Sequence, residues 1–505
     1  MGLNYYGRRA IYTDETEITS ENVVDVLKKS MKIHQKNRED IVWLQDYEKG
    51  NQPVLGRKKE VRPEINNKIV ENHASSIVSF KTGYLFGSPV SLVQRADKDS
   101  TGEPPTMDDK RVSMLNEMLI EQSKAAKDQR LAHDFCTSGV GYRMVLPKRR
   151  RKPWEVSLFD IIPLDPRSTF VVRTNDVYKD VIMAVTYSQK ANSDYENLAL
   201  ASDSSIARDV KRRYGVYTND RYYEIQDDKI LFEKENPIGV IPIVEYVFDE
   251  DRMGAFEKVI PLLDALNLTA SERQDDLEQF VQSILVLLNS DMRAEELESL
   301  PPNAILLLNS ARDGVNTDAK MLTQAMDQSS TQSYVDHTLE QMEKIACVPG
   351  KTANAQNTTG EAIQLSDGWQ LAETAAKGEE HIFEESERRL LEVILAILRI
   401  DIDADKMLKT LRLSDIDIKF TRNRTDGLLV KAQALQMLLN AGIKNKHAFE
   451  ACGLWSDTQT VWDDSKDTIL QEATDDTGVD TLGNQSPAAP EGEDGGDEGG
   501  AGEEA

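Results

Sequence analysis

The sequence contains little cysteine and no long apolar run. Its three cysteines, Cys136, Cys347 and Cys452, lie far apart, so they form neither a disulfide framework nor a paired zinc motif. This predicts synthesis in a reducing, cytoplasmic compartment. Because no stretch of about 18 apolar residues occurs, we predict no transmembrane helix. The first six residues lack the basic and apolar regions of a signal peptide, so we expect none.

Positive charge is also scarce. The 505 residues include 60 Lys and Arg against 87 Asp and Glu, which gives a formal net charge of −27. This balance argues against a protein that wraps DNA tightly, because such proteins neutralise many phosphates with basic side chains. It does not argue against a conduit through which DNA must slide. Residues 471–505 contain acidic residues but no Lys or Arg, and we predict that this tail is disordered.

The sequence lacks the residue combinations that are typical of catalytic or metal sites. Asp401, Asp403 and Asp405 resemble the start of a calcium loop, but Lys406 stands where that loop requires glycine. A solvated acidic turn is the favoured interpretation, and adventitious cation binding is the alternative. No nucleophile has a partner nearby in sequence, and no two histidines lie at ligand spacing. The histidines are His34, His73, His133, His337, His381 and His447. We therefore predict no catalytic residue, cofactor or metal.

Three short segments imitate phosphate-binding motifs. Gly350-Lys351-Thr352 matches the end of a P-loop, but Ile345 occupies the position of its first glycine, and a predicted helix precedes it instead of a strand. Gly139-Val140-Gly141 lacks the third glycine of a dinucleotide fingerprint and also follows a predicted helix. For the basic cluster Arg57-Lys58-Lys59, a solvated loop is the favoured interpretation and a phosphate contact is the alternative.

Apolar periodicity predicts an α+β fold in which helices predominate. A period near 3.6 predicts helices at 21–27 (capped by Ser20), 33–47, 66–83, 110–137, 254–284, 428–440 and 446–452. A period of two predicts strands at 142–146, 154–159, 169–173, 181–187, 221–226, 229–234 and 416–420. Pro237 to Pro242 closes the main β section. A compact insertion follows, with strands predicted at 285–288, 304–308 and 319–322 and a small helix at 293–299.

Residues 329–400 predict two helices separated by a polar loop. Val335, Leu339, Met342 and Ile345 recur every three or four residues, which indicates one buried helical face. Pro349-Gly350 then stops the helix. After a small, polar stretch the helical pattern resumes at Gly360 and continues through Leu398, a length of roughly 60 Å. This arrangement is typical of a device that presents a short loop to a partner.

Seven segments follow one another along the chain in a characteristic order: Asp46-Tyr47-Glu48-Lys49-Gly50, Ile65-Asn66-Asn67-Lys68-Ile69-Val70, Gly83-Tyr84-Leu85-Phe86-Gly87-Ser88-Pro89-Val90, Gly139-Val140-Gly141-Tyr142-Arg143, Ile162-Pro163-Leu164-Asp165-Pro166, Gly239-Val240-Ile241-Pro242-Ile243-Val244-Glu245 and Phe420-Thr421-Arg422-Asn423. With these segments the sequence resembles the portal proteins of tailed double-stranded-DNA bacteriophages, in particular those of long-tailed phages of Gram-positive hosts. The order and spacing of these segments, more than any one of them, carry the resemblance.

The resemblance implies a portal fold, a ring of usually twelve subunits around a central channel. Its domains would be the wing (1–253 and the long helix 360–400), two stem helices (254–284 and 329–347), the clip (285–328), the tunnel loop (348–359) and the crown (401–466). The acidic tail would be 467–505.

The resemblance also implies two sets of functional residues. The tunnel loop would line the narrowest part of the channel with Lys351, Thr352, Asn354, Gln356, Asn357 and Thr358. Amide and hydroxyl groups can exchange hydrogen bonds with phosphates without a fixed charge. A plain connector between two helices is the alternative for this loop. The clip would present the partner-binding residues Asp291, Arg293, Glu295, Glu296, Glu298 and Arg312.

The function implied by the resemblance is a channel at one capsid vertex, through which DNA is packaged and later ejected. The protein would also initiate capsid assembly and attach the tail as a head-tail connector. Its partners would be double-stranded DNA, the large subunit of the terminase motor, a head-completion or adaptor protein, and the major capsid and scaffolding proteins, with no membrane. It would be a virion protein assembled in the host cytoplasm. The alternatives are a packaging ATPase, which the missing P-loop disfavours, and a capsid scaffold protein without a channel.

Overall fold

The computed structural model describes residues 7–60, 62–95, 110–149, 152–189, 212–281, 284–288, 305–308, 318–322, 328–350, 368–420, 428–443, 448–449 and 452. The chain divides into two compact units, Met1–Asn423 and Arg424–Ala505. Across the described parts of both units, no helix is long and apolar enough to cross a membrane. The predicted acidic tail and the small helix predicted at 293–299 lie outside the described residues.

Helices account for about twice as many of the described residues as strands, so the predicted α+β fold with predominant helix is confirmed. The helices are α1 Val23–Glu48, α2 His73–Phe86, α3 Lys110–Glu121, α4 Lys124–Ser138, α5 Ile260–Val281, α6 Gln328–Ala346, α7 Trp369–Ile400, α8 Lys406–Lys409 and α9 Leu428–Asn440. The strands are β1 Ile11–Thr13, β2 Ser91–Gln94, β3 Val140–Pro147, β4 Phe159–Leu164, β5 Thr169–Thr174, β6 Val181–Gln189, β7 Arg212–Tyr217, β8 Arg221–Gln226, β9 Lys229–Glu235, β10 Ile243–Val247, β11 Ile284–Leu288, β12 Ile305–Leu308, β13 Asp318–Leu322 and β14 Ile416–Lys419.

The largest sheet has the strand order β1-β5-β6-β7-β8-β9, and its strands β5 and β6 are covered on both faces. Side chains alternate between the faces of a strand, so Phe170 and Val172 of β5 pack with α1, whereas Val171 belongs to a second cluster with the sheet β10-β3-β4. Glu245 of β10 joins the two sheets, because it pairs with Arg173 of β5 at 3.1 Å and with Arg252 at 2.6 Å. Burial alone would raise the pKa of Glu245, but Arg252 and Arg173 outweigh it and lower the pKa to about 2.

Several predicted helix boundaries are wrong. The helices predicted at 21–27 and 33–47 are one helix, α1, whose N-cap is Asn22 and not Ser20. The helix predicted at 110–137 is two helices, α3 and α4, because Ser123 adopts a left-handed conformation with φ 51°. The helix predicted from Asn66 begins only at His73. The segment before His73 is extended because its backbone binds another helix instead.

That extended segment lies along a polar face of α5. Asn267, Ser271 and Asp275 are spaced four residues apart and therefore share one face of the helix. They accept the backbone N–H groups of Glu71, Ile69 and Asn67, respectively, at 2.9, 2.9 and 2.7 Å. These bonds satisfy backbone donors that would otherwise require a helical turn or a strand partner.

The basic cluster at 57–59 is not a solvated loop, so the favoured interpretation of it is wrong. Arg57 and Lys59 pair with the buried carboxylate of Asp275 at 2.9 and 3.1 Å. Burial alone would raise the pKa of Asp275, but hydrogen bonds from the backbone and side chain of Asn67, from Lys59 and from Arg57 hold it at about 2. Arg57 and Lys59 therefore fasten the segment after α1 to α5.

The strand predictions are accurate where side chains alternate and wrong where they do not. Strands β3, β5, β6, β8, β9 and β14 lie at or within a few residues of their predicted positions. The strand predicted at 154–159 is displaced to β4, and β10 follows the segment 237–242 that was predicted to end the β section. β14 pairs with β2, a strand that the sequence did not predict.

The longest described helix, α7, begins at Trp369, directly after Gly368 in a left-handed conformation with φ 80°. Its described length is about 48 Å, shorter than predicted, since residues 351–367 lie outside the described part of the chain. Apolar residues on one face, including Phe383, Leu390, Leu391 and Ile394, enter the main core.

A buried ionic cluster fixes α7 against the rest of the first unit. Glu387 of α7 pairs with Lys124 of α4 at 2.9 Å and with Arg143 of β3 at 3.5 Å. Asp128 pairs with the same two cations. Tyr246 donates its hydroxyl to Glu387 at 2.8 Å and places its ring 5.3 Å from the Arg143 guanidinium. Every member is at least 95% buried, so each charge depends on the others.

We expect Glu387→Gln to lower the free energy of unfolding by about 3–5 kcal/mol, because it leaves two buried cations with one carboxylate. The matched control is Glu385→Gln on the same helix, where the exposed pair Arg389–Glu385 should contribute less than about 0.5 kcal/mol. Urea unfolding followed by circular dichroism measures both. Equal effects of the two substitutions would contradict the role assigned to the cluster.

A second prediction concerns His34, which stacks on Phe170 and has its Nε2 3.2 Å from the hydroxyl of Tyr187. Burial lowers the pKa of His34 from 6.5 to about 4. Below pH 6.5 the unfolded chain therefore binds a proton that the native state does not, and stability is lost as the pH falls toward 4.

The stability difference between the native protein and His34→Gln should therefore shrink by about 2 kcal/mol between pH 7.5 and pH 5. Because both proteins contain the same other titratable groups, the pH dependence that those groups cause cancels in the difference. One of these groups is Asp134, whose pKa burial raises to about 7. His73→Gln, at a partly exposed position beside Glu71, is the matched control. A difference that does not change with pH would show that His34 is not buried in the neutral form.

Candidate functional site

Two helices carry the candidate site. α5 and α6 pack against each other, and Met342 and Ala346 of α6 enter the main core. Thr338 is also buried, and its hydroxyl donates to the carbonyl of Tyr334 at 2.8 Å. The predicted face is partly wrong, because Ile345 is 50% exposed. The buried face follows the four-residue spacing of Thr338, Met342 and Ala346 instead.

Between α5 and α6 lies a three-stranded sheet in the order β12-β11-β13. β11 pairs parallel with β12 and antiparallel with β13. The three predicted strands of the insertion are therefore confirmed, although Ile284 belongs to β11 and not to the preceding helix. The predicted partner-binding residues Asp291, Arg293, Glu295, Glu296, Glu298 and Arg312 lie outside the described residues.

The break after α6 is sharp. The helix ends at Ala346, and Cys347 adopts a left-handed conformation with φ 52°. The backbone N–H of Val348 donates to the carbonyl of Glu343 at 3.0 Å, and the Val348 side chain packs on the main core. The predicted stop is confirmed, although the helix ends at Ala346, a few residues before Pro349-Gly350. Gly350 follows a helix, which also confirms one of the two arguments against a P-loop here.

The two ends of the segment 351–367 meet. A Cβ atom at Gly368 would lie 3.5 Å from the Cα of Pro349 and 4.0 Å from the backbone nitrogen of Gly350. The 17 residues between them therefore leave and return at one point. We call Pro349, Gly350, Gly368 and Trp369 the loop base. The predicted channel residues Lys351, Thr352, Asn354, Gln356, Asn357 and Thr358 belong to this segment and lie outside the described residues.

Aromatic contacts hold the loop base against α2. The ring centroid of Trp369 lies 6.0 Å from that of Phe80 and 5.9 Å from that of Tyr84, and Phe80 and Tyr84 stack at 5.4 Å. Tyr84 donates its hydroxyl to Glu373 at 2.8 Å. Aromatic pairs of this kind contribute about 0.5–1.5 kcal/mol each beyond their burial. The return point of the loop is therefore fixed to the body of the first unit.

A buried ion pair adds a second attachment about three turns along α7. Lys81 of α2, which is only 3% exposed, pairs with Glu379 at 2.6 Å. The sequence predicted none of these contacts between α2 and α7. Tyr84 lies in one of the segments that carry the family resemblance. Because α2 and α7 lie far apart in the sequence, local sequence patterns do not show that they pack together.

The described residues include no group of three or more His, Cys, Asp or Glu that could hold a metal ion. In the acidic turn, Asp405 accepts the backbone N–H of Met407 at 2.7 Å and so caps α8, while Asp401 accepts that of Asp403 at 2.9 Å. These bonds give the acidic residues local structural roles. All three cysteines are free thiols.

The protein-family model described as "Phage portal protein, SPP1 Gp6-like" matches residues 27–468, which is most of the chain and includes α5, α6, the loop base and α7. No curated protein matches the sequence.

Two glycines in and before α7 allow a matched test of the loop base. Gly368→Ala should destabilise the protein by about 1–2 kcal/mol, because an L-residue at its φ of 80° is strained. Gly378→Ala, at an open position inside α7, should stabilise it by up to about 1 kcal/mol. Thermal unfolding and limited proteolysis of residues 351–367 measure both. If both substitutions have the same sign, the conformation assigned to Gly368 is wrong.

Proposed function

We propose, from the premise that this chain belongs to the SPP1 Gp6-like family of phage portal proteins, that it forms a ring at one capsid vertex through which DNA is packaged and later ejected. The observation that supports this most directly is the closed loop. A segment that leaves and returns at one fixed point can extend into a channel without carrying the flanking helices with it. Twelve subunits in the ring are part of the proposal.

The chemistry of the loop suits the passage of DNA. Its amide and hydroxyl side chains, Thr352, Asn354, Gln356, Asn357 and Thr358, can exchange hydrogen bonds with successive phosphate oxygens. Lys351 supplies the single positive charge of the segment 351–359 in each subunit. A dense ring of arginines would bind phosphates tightly and retard movement, because each phosphate contact adds counterion-release free energy. Sparse charge favours sliding.

The small sheet between α5 and α6 is the proposed clip. Its position at the ends of two paired helices allows it to project from the body. The charged residues Asp291, Arg293, Glu295, Glu296, Glu298 and Arg312 are the proposed contacts for the large terminase subunit during packaging and for a head-completion or adaptor protein afterwards. The wing is proposed to contact the major capsid and scaffolding proteins and to initiate capsid assembly.

The proposed domain boundaries follow the sequence assignment with one refinement. The wing comprises 1–253 and α7, the stem comprises α5 and α6, and the clip comprises 285–328. Residues 401–420 pack with the first unit, since β14 pairs with β2. We therefore propose that the crown is the second unit, Arg424–Ala505, which carries α9 and the acidic tail.

Two other functions are less well supported. A packaging ATPase needs a glycine at position 345 and a strand before it, but the residue is isoleucine on a helix. The portal family is a structural family, and we propose a structural role and no catalysis. A scaffold protein without a channel would give no reason for the fixed, closed loop. Electron microscopy of the purified protein should show a ring with a central hole.

Deletion of residues 353–357 should leave the ring intact and strongly reduce the amount of DNA packaged per particle. The ring is retained because the loop base holds both ends of the shortened loop, and twelve residues are enough to connect Gly350 with the adjacent Gly368. Packaging falls because the loop can no longer reach the DNA.

The control removes five residues, 495–499, from the acidic tail and should package normally. Microscopy of the assembled protein and quantification of encapsidated DNA give the two readings. Normal packaging by the shortened loop would reject its role, and no ring in any preparation would reject the portal function.

A further inference from the structure

The longest run of basic residues in this acidic protein is Lys148-Arg149-Arg150-Arg151-Lys152. It lies between β3 and β4, in the connection 148–158 that we call the basic hairpin. None of the functions discussed above uses it. Runs of five or more Lys and Arg are typical of nucleic-acid contacts. Most charged runs are only solvated surface, however, so the contacts within the hairpin must decide between these two interpretations.

The base of the basic hairpin is rigid. The backbone N–H of Lys148 donates to the carbonyl of Leu158 at 3.0 Å. Glu121, the last residue of α3, accepts the backbone N–H groups of Val156 and Ser157 at 2.7 and 2.8 Å. Lys148 also contributes, since its ammonium group pairs with Glu155 at 3.1 Å. One cation of the run therefore serves the structure of the hairpin.

Two other cations face solvent. Arg149 and Lys152 are exposed and have no carboxylate within ion-pair distance in the described part of the chain. The Lys152 ammonium lies 5.7 Å from the ring centroid of Trp154. Trp154 is itself 75% exposed, which is unusual for so large an apolar side chain. The Lys152 ammonium therefore lies beside an exposed indole ring, and Arg149 is a second exposed cation of the same connection.

We propose that Arg149, Lys152 and Trp154 form a contact site for the sugar-phosphate backbone of double-stranded DNA, separate from the loop 351–367. The two cations bind phosphates, and the indole packs on sugar and base edges. Arg150 and Arg151 lie outside the described residues and are not assigned to the site. The choice of DNA as the occupant rests on the proposed function, which places this chain beside packaged DNA.

The test uses the full-length protein and a labelled 20-base-pair duplex, with binding followed by anisotropy between 50 and 200 mM NaCl. Arg149→Gln with Lys152→Gln should weaken binding and reduce the slope of log K against log salt concentration by about 2, one for each lost phosphate contact. The control, Lys28→Gln with Lys377→Gln, makes the same change in net charge at two exposed positions and should leave the slope unchanged.

Trp154 provides an independent reading. DNA should change the tryptophan emission of the native protein, and Trp154→Phe should remove that change. Equal weakening by the hairpin and control variants would overturn the proposal, and so would an emission change that survives Trp154→Phe. Binding of poly-glutamate but not of DNA would also overturn it, because the occupant would then be an acidic protein.

The result of this test can be distinguished from the result of the test of the portal function. The variant lacking residues 353–357 should bind the duplex at the hairpin as the native protein does. A protein that forms no ring but retains hairpin-dependent DNA binding would reject the portal function and support this site.

Discussion

The pairing of two buried cations with two buried carboxylates is the interaction on which the first unit depends. Lys124 and Arg143 face Asp128 and Glu387 in the absence of solvent. A single charge moved into such an environment costs several kcal/mol, and only the complete set offsets that cost. α4, β3 and α7 must therefore meet in one arrangement, and Tyr246 adds β10 to it. Apolar packing alone would tolerate small shifts of α7, but this cluster does not.

The fixed position of α7 has a consequence for the loop base. Glu387 lies some five turns along the helix from Trp369, so an anchored helix carries its first residue to a defined place beside Phe80 and Tyr84. The loop then returns to a point that the core has already determined. The polar face of α5, where Asn267, Ser271 and Asp275 accept the backbone N–H groups of an extended segment, fixes α5 to the first unit as well.

The sequence predicted those features that depend on neighbours along the chain. β8 was predicted to the residue and β9 to within one residue, and Asp227 and Asp228 in the turn between them both have positive φ. The stop after α6 was visible in Pro349-Gly350. Features set by distant residues were not predictable. The segment 66–72 has helical composition but is extended because α5 accepts its N–H groups, and the loop base joins residues of α2 and α7 that no local pattern connects.

The pairing of β14 with β2 determines when this protein can fold. The N-terminal part of the chain leaves the ribosome first, so β2 is complete more than three hundred residues before its partner Ile416–Lys419 emerges. Glu387 is likewise delivered late to Lys124 and Arg143. Contacts of such high sequence separation close slowly, and a truncated nascent chain would expose an unpaired strand and an unbalanced buried charge. A subunit can therefore complete its fold only after translation is nearly finished.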